Sequence, residues 1–148
     1  MNQQEQAIVE QAISILDTNL KVRPIIVSSP VSAIDFLRLK LENKEHEVFA
    51  VMFLDTKHRM IEYKEMFRGT IDSAPVFVRE IAKESLKLNA SALILAHNHP
   101  SGISTASQAD KSVTENICVA MELFNIRVLD HFVIGSGEYE SFAQNGWL

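Results

Sequence analysis

The sequence predicts an α/β chain in which a mixed β-sheet is flanked by helices. Segments whose apolar residues recur at helical spacing alternate along the chain with short apolar runs of strand length. Two of these runs are joined by a polar turn, as in a hairpin, whereas the others are separated by helices. With 148 residues, of which 47% are hydrophobic, the chain is expected to form one globular domain over 1–148.

The N-terminal part of the chain is expected to contribute two helices and a hairpin. Ile8, Ala12 and Ile15 lie at helical spacing within an N-terminal helical extension over 1–23. The run Ser28-Ser29-Pro30 opens a second helix, because proline is tolerated in a first helical turn. The predicted strands of this part are a short one over 25–27, one over 48–54, and one from Met60 towards Phe67 after a polar turn at 55–58.

The C-terminal part is expected to supply the remaining helices and strands. A helix from about Val78 to Leu88 is predicted to end at Asn89. Ser107 is predicted to start the longest helix, and the lone Cys118 lies on its apolar side, which leaves no disulfide framework. The predicted strands of this part are 92–96, 126–134 and 139–142, with a turn at 135–137.

Two histidines at the end of the short strand over 92–96 suggest a metal site. Alternate residues of an extended segment point to the same side, so His97 and His99 can face one ion while Asn98 faces away. A His-x-His pair alone is weak evidence, since histidines at strand ends often form only hydrogen bonds. Asp110 would supply a third ligand and leave one position open for water, which is typical of a catalytic zinc site.

Ser107 and Asp110 also match a helix capping box. In that interpretation Ser107 accepts a backbone hydrogen bond, and Asp110 is favoured by the helix dipole in the first turn. A first-turn carboxylate on a helix that begins beside a strand end can also face an ion bound there. The two interpretations of Asp110 are therefore compatible, and capping explains neither histidine.

The spacing of these four residues resembles the signature of the JAMM (MPN+) metalloproteases, which is His-x-His, seven residues, Ser, two residues, Asp. Over roughly 24–148 the chain is similar to the bacterial RadC-like branch of that family. The resemblance implies a curved mixed sheet with helices around it, the JAMM or cytidine-deaminase-like fold, and a metal at the sheet edge. The segments that carry it are 67–72, 79–80, 96–102, 129–131 and 141–143.

The resemblance also implies a fifth functional residue and a reaction. JAMM enzymes carry a glutamate at the start of an early strand, and Glu47, directly before the strand over 48–54, is the matching position. Glu42 and Glu45 are rivals in the same charged stretch. In the implied reaction zinc lowers the pKa of a bound water to about 7, and Glu47 moves the water proton to the departing amine. Ser107 would donate a hydrogen bond to the developing oxyanion.

The function implied by the resemblance is that of a zinc-dependent metallopeptidase or isopeptidase acting on a peptide or protein. Zinc is the favoured metal, but two histidines and one carboxylate also describe the facial triad of non-haem iron enzymes. A metal-binding interaction module without catalysis is an alternative. No sequence feature specifies the substrate or the oligomeric state.

Five further histidines and arginines are not expected to belong to the site. His131 lies in an apolar strand and is expected to form a structural hydrogen bond rather than bind metal. His46 and His58 lie in polar stretches and are expected to be exposed. Arg68 and Arg79 near turns and helix starts are more often solvated or ion-paired than bound to substrate.

Charge and hydropathy argue against two other classes of partner. RadC-like proteins have long carried a DNA-repair label, but a net charge of -5 gives little phosphate-neutralising surface, and only a local basic patch would favour DNA. RadC-like proteins usually have a helix-hairpin-helix region before this domain, and the stretch before Ile25 is expected to be too short for it. No apolar run approaches the roughly 20 residues that span a bilayer, and the first residues lack a signal pattern, so a cytoplasmic protein is expected.

Overall fold

Four helices and five strands are distributed along residues 1–26, 28–69 and 74–148, which are the residues that the computed structural model describes. This order confirms the predicted α/β class. The helices are α1 Gln3–Val22, α2 Val31–Leu41, α3 Val78–Lys87 and α4 Gln108–Glu122. The strands are β1 Val48–Leu54, β2 Met60–Arg68, β3 Ala92–Asn98, β4 Arg127–Ile134 and β5 Tyr139–Ser141.

The five described strands form one mixed sheet in the order β2-β1-β3-β4-β5. β1 pairs antiparallel with both β2 and β3, whereas β3 and β4 run parallel and are connected through α4. β5 returns antiparallel along β4. Phe49 in β1 lies opposite His97 in β3, so the start of β1 and the end of β3 meet at the same end of the sheet.

Helices cover both faces of the sheet. On the face that we call the α1–α2 face, Met52 and Ile94 pack with Phe36 of α2. On the opposite face, the α3–α4 face, Leu95 packs with Ile81 of α3 and other apolar side chains of α4. Because the strands at the centre of the sheet are buried on both sides, β1 and β3 are continuous apolar runs without alternation of polar residues.

The short strand predicted over 25–27 is wrong for its two described residues. Ile25 and Ile26 are not in a strand. The N–H of Ile25 donates to the carbonyl of His58 at 2.8 Å, beside the β1–β2 turn. The preceding residue that would face the same neighbour in a ladder is Arg23, and its N–H donates to the carbonyl of Asn19 at the end of α1. Val27 lies outside the described residues.

The prediction that the helix after Ser107 is the longest is also wrong. α4 has 15 residues, whereas α1 has 20. A capping box between Asn2 and Glu5 starts α1, and its buried Leu20 anchors the far end against the core. No helix within the described ranges has the length and apolar character needed to cross a bilayer.

Candidate metal centre

β3 delivers the two histidines of the His-x-His pair to one end of the sheet. His97 follows Leu93 and Leu95 on the α3–α4 face and is almost completely buried. His99 lies just beyond the strand, where its N–H donates to the carbonyl of Ile134 at 2.9 Å and extends the pairing with β4. The Nε2 atoms of His97 and His99 are 3.0 Å apart.

Asp110 completes a triangle with these two nitrogen atoms. Its Oδ1 lies 3.3 Å from His97 Nε2, and its Oδ2 lies 3.2 Å from His99 Nε2. A tetrahedral zinc ion with bonds of about 2.0–2.2 Å separates its ligand atoms by about 3.3 Å. The two imidazoles and the carboxylate are therefore spaced as zinc ligands would be, with one carboxylate oxygen facing each ring.

The hydrogen bonds around His99 fix which of its nitrogens can bind a cation. Its Nδ1 lies 2.9 Å from the carbonyl oxygen of Ile103, which can only accept, so Nδ1 carries a proton. In neutral His99 the lone pair is then on Nε2, the atom that faces His97 and Asp110. A hydrogen bond from the remote ring nitrogen is the usual way in which proteins orient a metal-binding imidazole.

The N-terminus of α4 holds the carboxylate of Asp110 in place. Ser107 is the N-cap, and its Oγ accepts from the N–H of Asp110 at 3.0 Å. The N–H of Ser107 in turn donates to Asp110 Oδ2 at 2.8 Å. The capping box predicted from the sequence is thus confirmed. It also orients the carboxylate towards the histidines, so the cap is compatible with the predicted role of Asp110 as a ligand.

Glu47 lies beside this triangle, immediately before β1. Its Oε1 is 3.8 Å from His99 Nε2, and the donor atoms of Glu47, His97 and His99 all lie within 4.8 Å of one another. Only 7% of Glu47 is exposed. Its sequence rivals are elsewhere, because Glu42 is paired with Arg38 on α2 and Glu45 is exposed.

The electrostatics separate the two carboxylates. Burial raises the pKa of the Glu47 carboxyl above its ordinary value, and the neighbouring histidines offset only part of that shift. Burial acts in the same direction on Asp110, but hydrogen bonds with His97 and His99 outweigh it and hold its pKa well below the usual range. The hydrogen bond with Asp110 raises the pKa of His99. Asp110 is thus the permanent anion, and Glu47 is the carboxyl that accepts a proton more readily.

A cavity of about 340 Å³ opens over the four groups. Its remaining walls are largely apolar and include Phe49, Val76 and Val113. Ser107 lines the cavity as well, and its cap interaction uses an oxygen lone pair and leaves the hydroxyl proton available. The structure therefore brings all five sequence-predicted site residues to one cavity, while their individual roles stay predictions.

The comparisons with known proteins identify the family of this chain. The family model described as "RadC-like JAB domain" matches residues 27–147. The chain belongs to the RadC-like JAB domain family. A "UPF0758 protein" of Histophilus somni (strain 2336) is 57% identical over 82% of this chain and 54% of its own length. A "UPF0758 protein" of Vibrio cholerae serotype O1 is 49% identical over 97% of this chain and 90% of its own length.

A third relative of this RadC-like JAB domain, "UPF0758 protein Mpe_A2695" of Methylibium petroleiphilum, is 48% identical over 96% of the chain and 64% of its own length. The chain thus spans between about half and two thirds of the length of the Histophilus and Methylibium relatives.

The RadC-like JAB domain positions Glu47 through a residue to which the sequence assigned no role. Asn98 faces away from the histidines, as predicted. Its Oδ1 accepts from the N–H of Val48 at 2.8 Å, and its Nδ2 donates to the carbonyl of His46 at 3.0 Å. These bonds grip the backbone on both sides of Glu47. The residue between the two histidines therefore couples β3 to the glutamate.

We expect Asn98→Ala to loosen this segment. The substitution leaves the buried N–H of Val48 and the carbonyl of His46 without their partner, at about 1–3 kcal/mol for each group. Thermal unfolding should shift to lower temperature, and hydrogen exchange at the Val48 amide should accelerate. Asn43→Ala, at an exposed position, is the matched control. Unchanged exchange at Val48 would show that Asn98 does not hold the segment.

The loop from 99 to 107 of the RadC-like JAB domain is held by residues that the sequence reasoning missed. Ser104 Oγ donates to Glu138 at 2.9 Å, and the N–H of Ala106 donates to Glu140 at 3.0 Å. Gly135 lies so close that an added Cβ would be 2.5 Å from the carbonyl oxygen of Gly102. The sequence predicted a turn over 135–137, but no local pattern indicated that this turn and the following strand contact the loop after the histidines.

The structure also places the five residues that were left out of the predicted site. His131 is fully buried, burial lowers its pKa well below the ordinary value, and it hydrogen-bonds to His97, which confirms the predicted structural bond. Arg68 and Arg79 do not line the cavity. His46 and His58 are half-buried rather than exposed, so that prediction is wrong for both.

Proposed function

We propose that this protein is a zinc-dependent hydrolase of amide bonds, a metallopeptidase or isopeptidase. The observation that carries the proposal is the triangle of His97 Nε2, His99 Nε2 and the Asp110 carboxylate, whose edges of 3.0–3.3 Å suit one zinc ion. The open cavity above it leaves room for water and a substrate carbonyl. Zinc, when bound there, supplies the Lewis acidity that makes water nucleophilic near neutral pH.

Glu47 is the general base of the proposed reaction. Its carboxylate takes a proton from the attacking water and gives it to the nitrogen of the departing amine, so one side chain serves both proton transfers. Burial suits this role, because a raised pKa lets the carboxyl hold the proton between the two steps. Membership of the RadC-like JAB family supports the assignment, since the resemblance to JAMM enzymes implies a glutamate directly before an early strand, and Glu47 directly precedes β1.

Ser107 is the proposed donor to the oxyanion. Its Oγ lone pair is engaged by the N–H of Asp110, which orients the hydroxyl group, and its proton remains for a substrate oxygen in the cavity. Removing one donor of this kind typically lowers the rate by about 100-fold to 1000-fold. The apolar walls of the cavity suit a peptide segment with uncharged side chains next to the cleaved bond.

Elemental analysis of the purified protein is the first test of this proposal. We expect about one zinc per chain, lost on chelation and regained on adding zinc chloride. Cleavage of a mixture of quenched fluorescent peptides should follow the zinc content. Stoichiometric iron would favour the facial-triad alternative. A protein that holds no metal and takes up none would contradict the proposal.

A further inference from the structure

A buried hydrogen-bond chain runs from His97 through His131, which also lines the cavity, to Thr114. His97 Nδ1 lies 2.7 Å from His131 Nε2, and His131 Nδ1 lies 2.5 Å from Thr114 Oγ1. The hydroxyl of Thr114 is also 2.9 Å from the main-chain carbonyl oxygen of Asp110. We refer to these four groups as the His131 chain. It begins at one proposed zinc ligand and ends on the backbone of another.

His131 is held so that its ring stays in this chain. Phe142 stacks on the ring at a centroid distance of 4.5 Å, and Phe49 contacts it edge-on at 5.5 Å. On the backbone, the N–H of His131 donates to Asp130 Oδ1 at 2.7 Å. Asp130 also accepts from the hydroxyl of Ser141 and the N–H of Ala143. The segments 129–131 and 141–143, which carried part of the family resemblance, thus form the support of one imidazole.

When both imidazoles are neutral, the hydrogen bonds of the His131 chain can run from donor to acceptor in either of two directions. In the first, Thr114 donates to the Asp110 carbonyl, His131 donates from Nδ1 to Thr114, and His97 donates from Nδ1 to His131 Nε2. In the second, Thr114 donates to His131 Nδ1, and His131 donates from Nε2 to His97 Nδ1. The gap between the two rings and the gap between His131 and Thr114 each hold one hydrogen in both directions, so the two rings always share the same tautomer. The gap between Thr114 and the Asp110 carbonyl holds a hydrogen only in the first direction.

The two directions differ at the atom that faces the proposed zinc site. In the first direction His97 Nε2 has a free lone pair, as a zinc ligand requires. In the second, Nε2 carries a proton that it can donate to Asp110 Oδ1, 3.3 Å away. The direction of the His131 chain therefore determines whether His97 is able to bind a metal.

We propose that His131 and Thr114 are positioning residues that switch His97 between a metal-binding and a metal-free tautomer through reversal of this chain. The inference rests on the zinc site of the proposed function but not on its hydrolytic activity. Zinc binding selects the first direction, in which the Asp110 carbonyl receives the Thr114 proton. Without the Thr114 hydroxyl, the metal-binding direction leaves His131 Nδ1–H buried without an acceptor.

Thr114→Val and Thr114→Ser form a matched pair for the test. Valine keeps the shape of the buried side chain and loses the hydroxyl, whereas serine keeps the hydroxyl and loses a methyl group. We expect Thr114→Val to bind Zn²⁺ about 10-fold to 100-fold more weakly than wild type, as measured by competition with a chelating dye. Thr114→Ser should bind Zn²⁺ close to wild type, even where its unfolding temperature falls.

Nitrogen-15 NMR of the histidine rings tests the tautomers in the wild-type chain and needs no variant. We expect His97 and His131 to be protonated at Nδ1 in the zinc-loaded protein and at Nε2 after zinc removal. His131 protonated at Nε2 in the loaded protein would overturn the inference, as would wild-type Zn²⁺ affinity in Thr114→Val. In either case the zinc site itself would stand.

The outcomes also separate this inference from the proposed function. A wild-type protein that binds Zn²⁺ and shows the expected tautomers but cleaves no peptide would refute the hydrolase and support the chain reversal. A wild-type protein that binds no Zn²⁺ would overturn both, since zinc would then select no direction.

Discussion

Glu47→Gln is expected to abolish most of the peptide cleavage while the protein keeps its zinc. Glutamine has nearly the same shape as glutamate but cannot take a proton from water, and general acid–base catalysis typically contributes about 100-fold to 10,000-fold in rate. The loss should appear in kcat, measured with the same quenched peptides. Zinc content should stay near wild type, because the proposed ligands are the two histidines and Asp110.

Glu45→Gln is the matched control for this substitution. It makes the same chemical change two residues earlier, at an exposed position outside the cavity. If Glu47→Gln still cleaved the peptides and Glu45→Gln did not, the general base would be Glu45 and the assignment to Glu47 would be wrong. Loss of zinc from Glu47→Gln would instead make Glu47 a ligand, which its place in the cluster with His97 and His99 permits.

Asp110→Asn is expected to weaken zinc binding more than any substitution outside the ligand set. Residues that merely support a ligand typically contribute about 10-fold to 100-fold in metal affinity, so the loss of a ligand charge should exceed 100-fold. The amide oxygen of asparagine can still accept from the N–H of Ser107, so the start of α4 is preserved. Zinc affinity, measured by dye competition, is the readout.

His97→Ala should give a similar loss, and His58→Asn is its control. His58 lies in the turn after β1, at the opposite end of the sheet from the site, and its φ of 60° is one that asparagine tolerates. Circular dichroism should show helical content near wild type in each variant. Folded Asp110→Asn and His97→Ala proteins that bind zinc as wild type does would remove the basis of the proposed function.

Much of the candidate site could be predicted from the sequence because its signals are local. The capping box of Ser107 and Asp110 and the alternation of His97 and Asn98 depend on residues within a few positions of each other. The helix and strand order also followed from local periodicity. Local periodicity does not predict how long a helix is when a residue at its far end packs into the core, as Leu20 of α1 does. The longest helix was therefore predicted wrongly.

The residues that support the site could not be predicted from the sequence, because their contacts join distant parts of the chain. Asn98 bonds to the backbone of Val48, 50 residues earlier, and His131 meets His97 across 34 residues. Both contacts depend on the register of β3 with its neighbours, which no short pattern encodes. The strand predicted over 25–27 failed similarly for its described residues, because the N–H of Ile25 donates to the carbonyl of His58 in a turn rather than to a strand.

The division of the sheet into two faces has a practical consequence for handling the protein. α1 lies on the α1–α2 face, whereas the cavity is bounded by α4 and the ends of β1 and β3 on the other side. At the C-terminus, by contrast, the Trp147 ring lies 3.9 Å from the ammonium of Lys111 on α4. An affinity tag or surface anchor attached before residue 1 therefore starts from the helix on the α1–α2 face, whereas one attached after residue 148 starts beside α4, the helix that bounds the cavity.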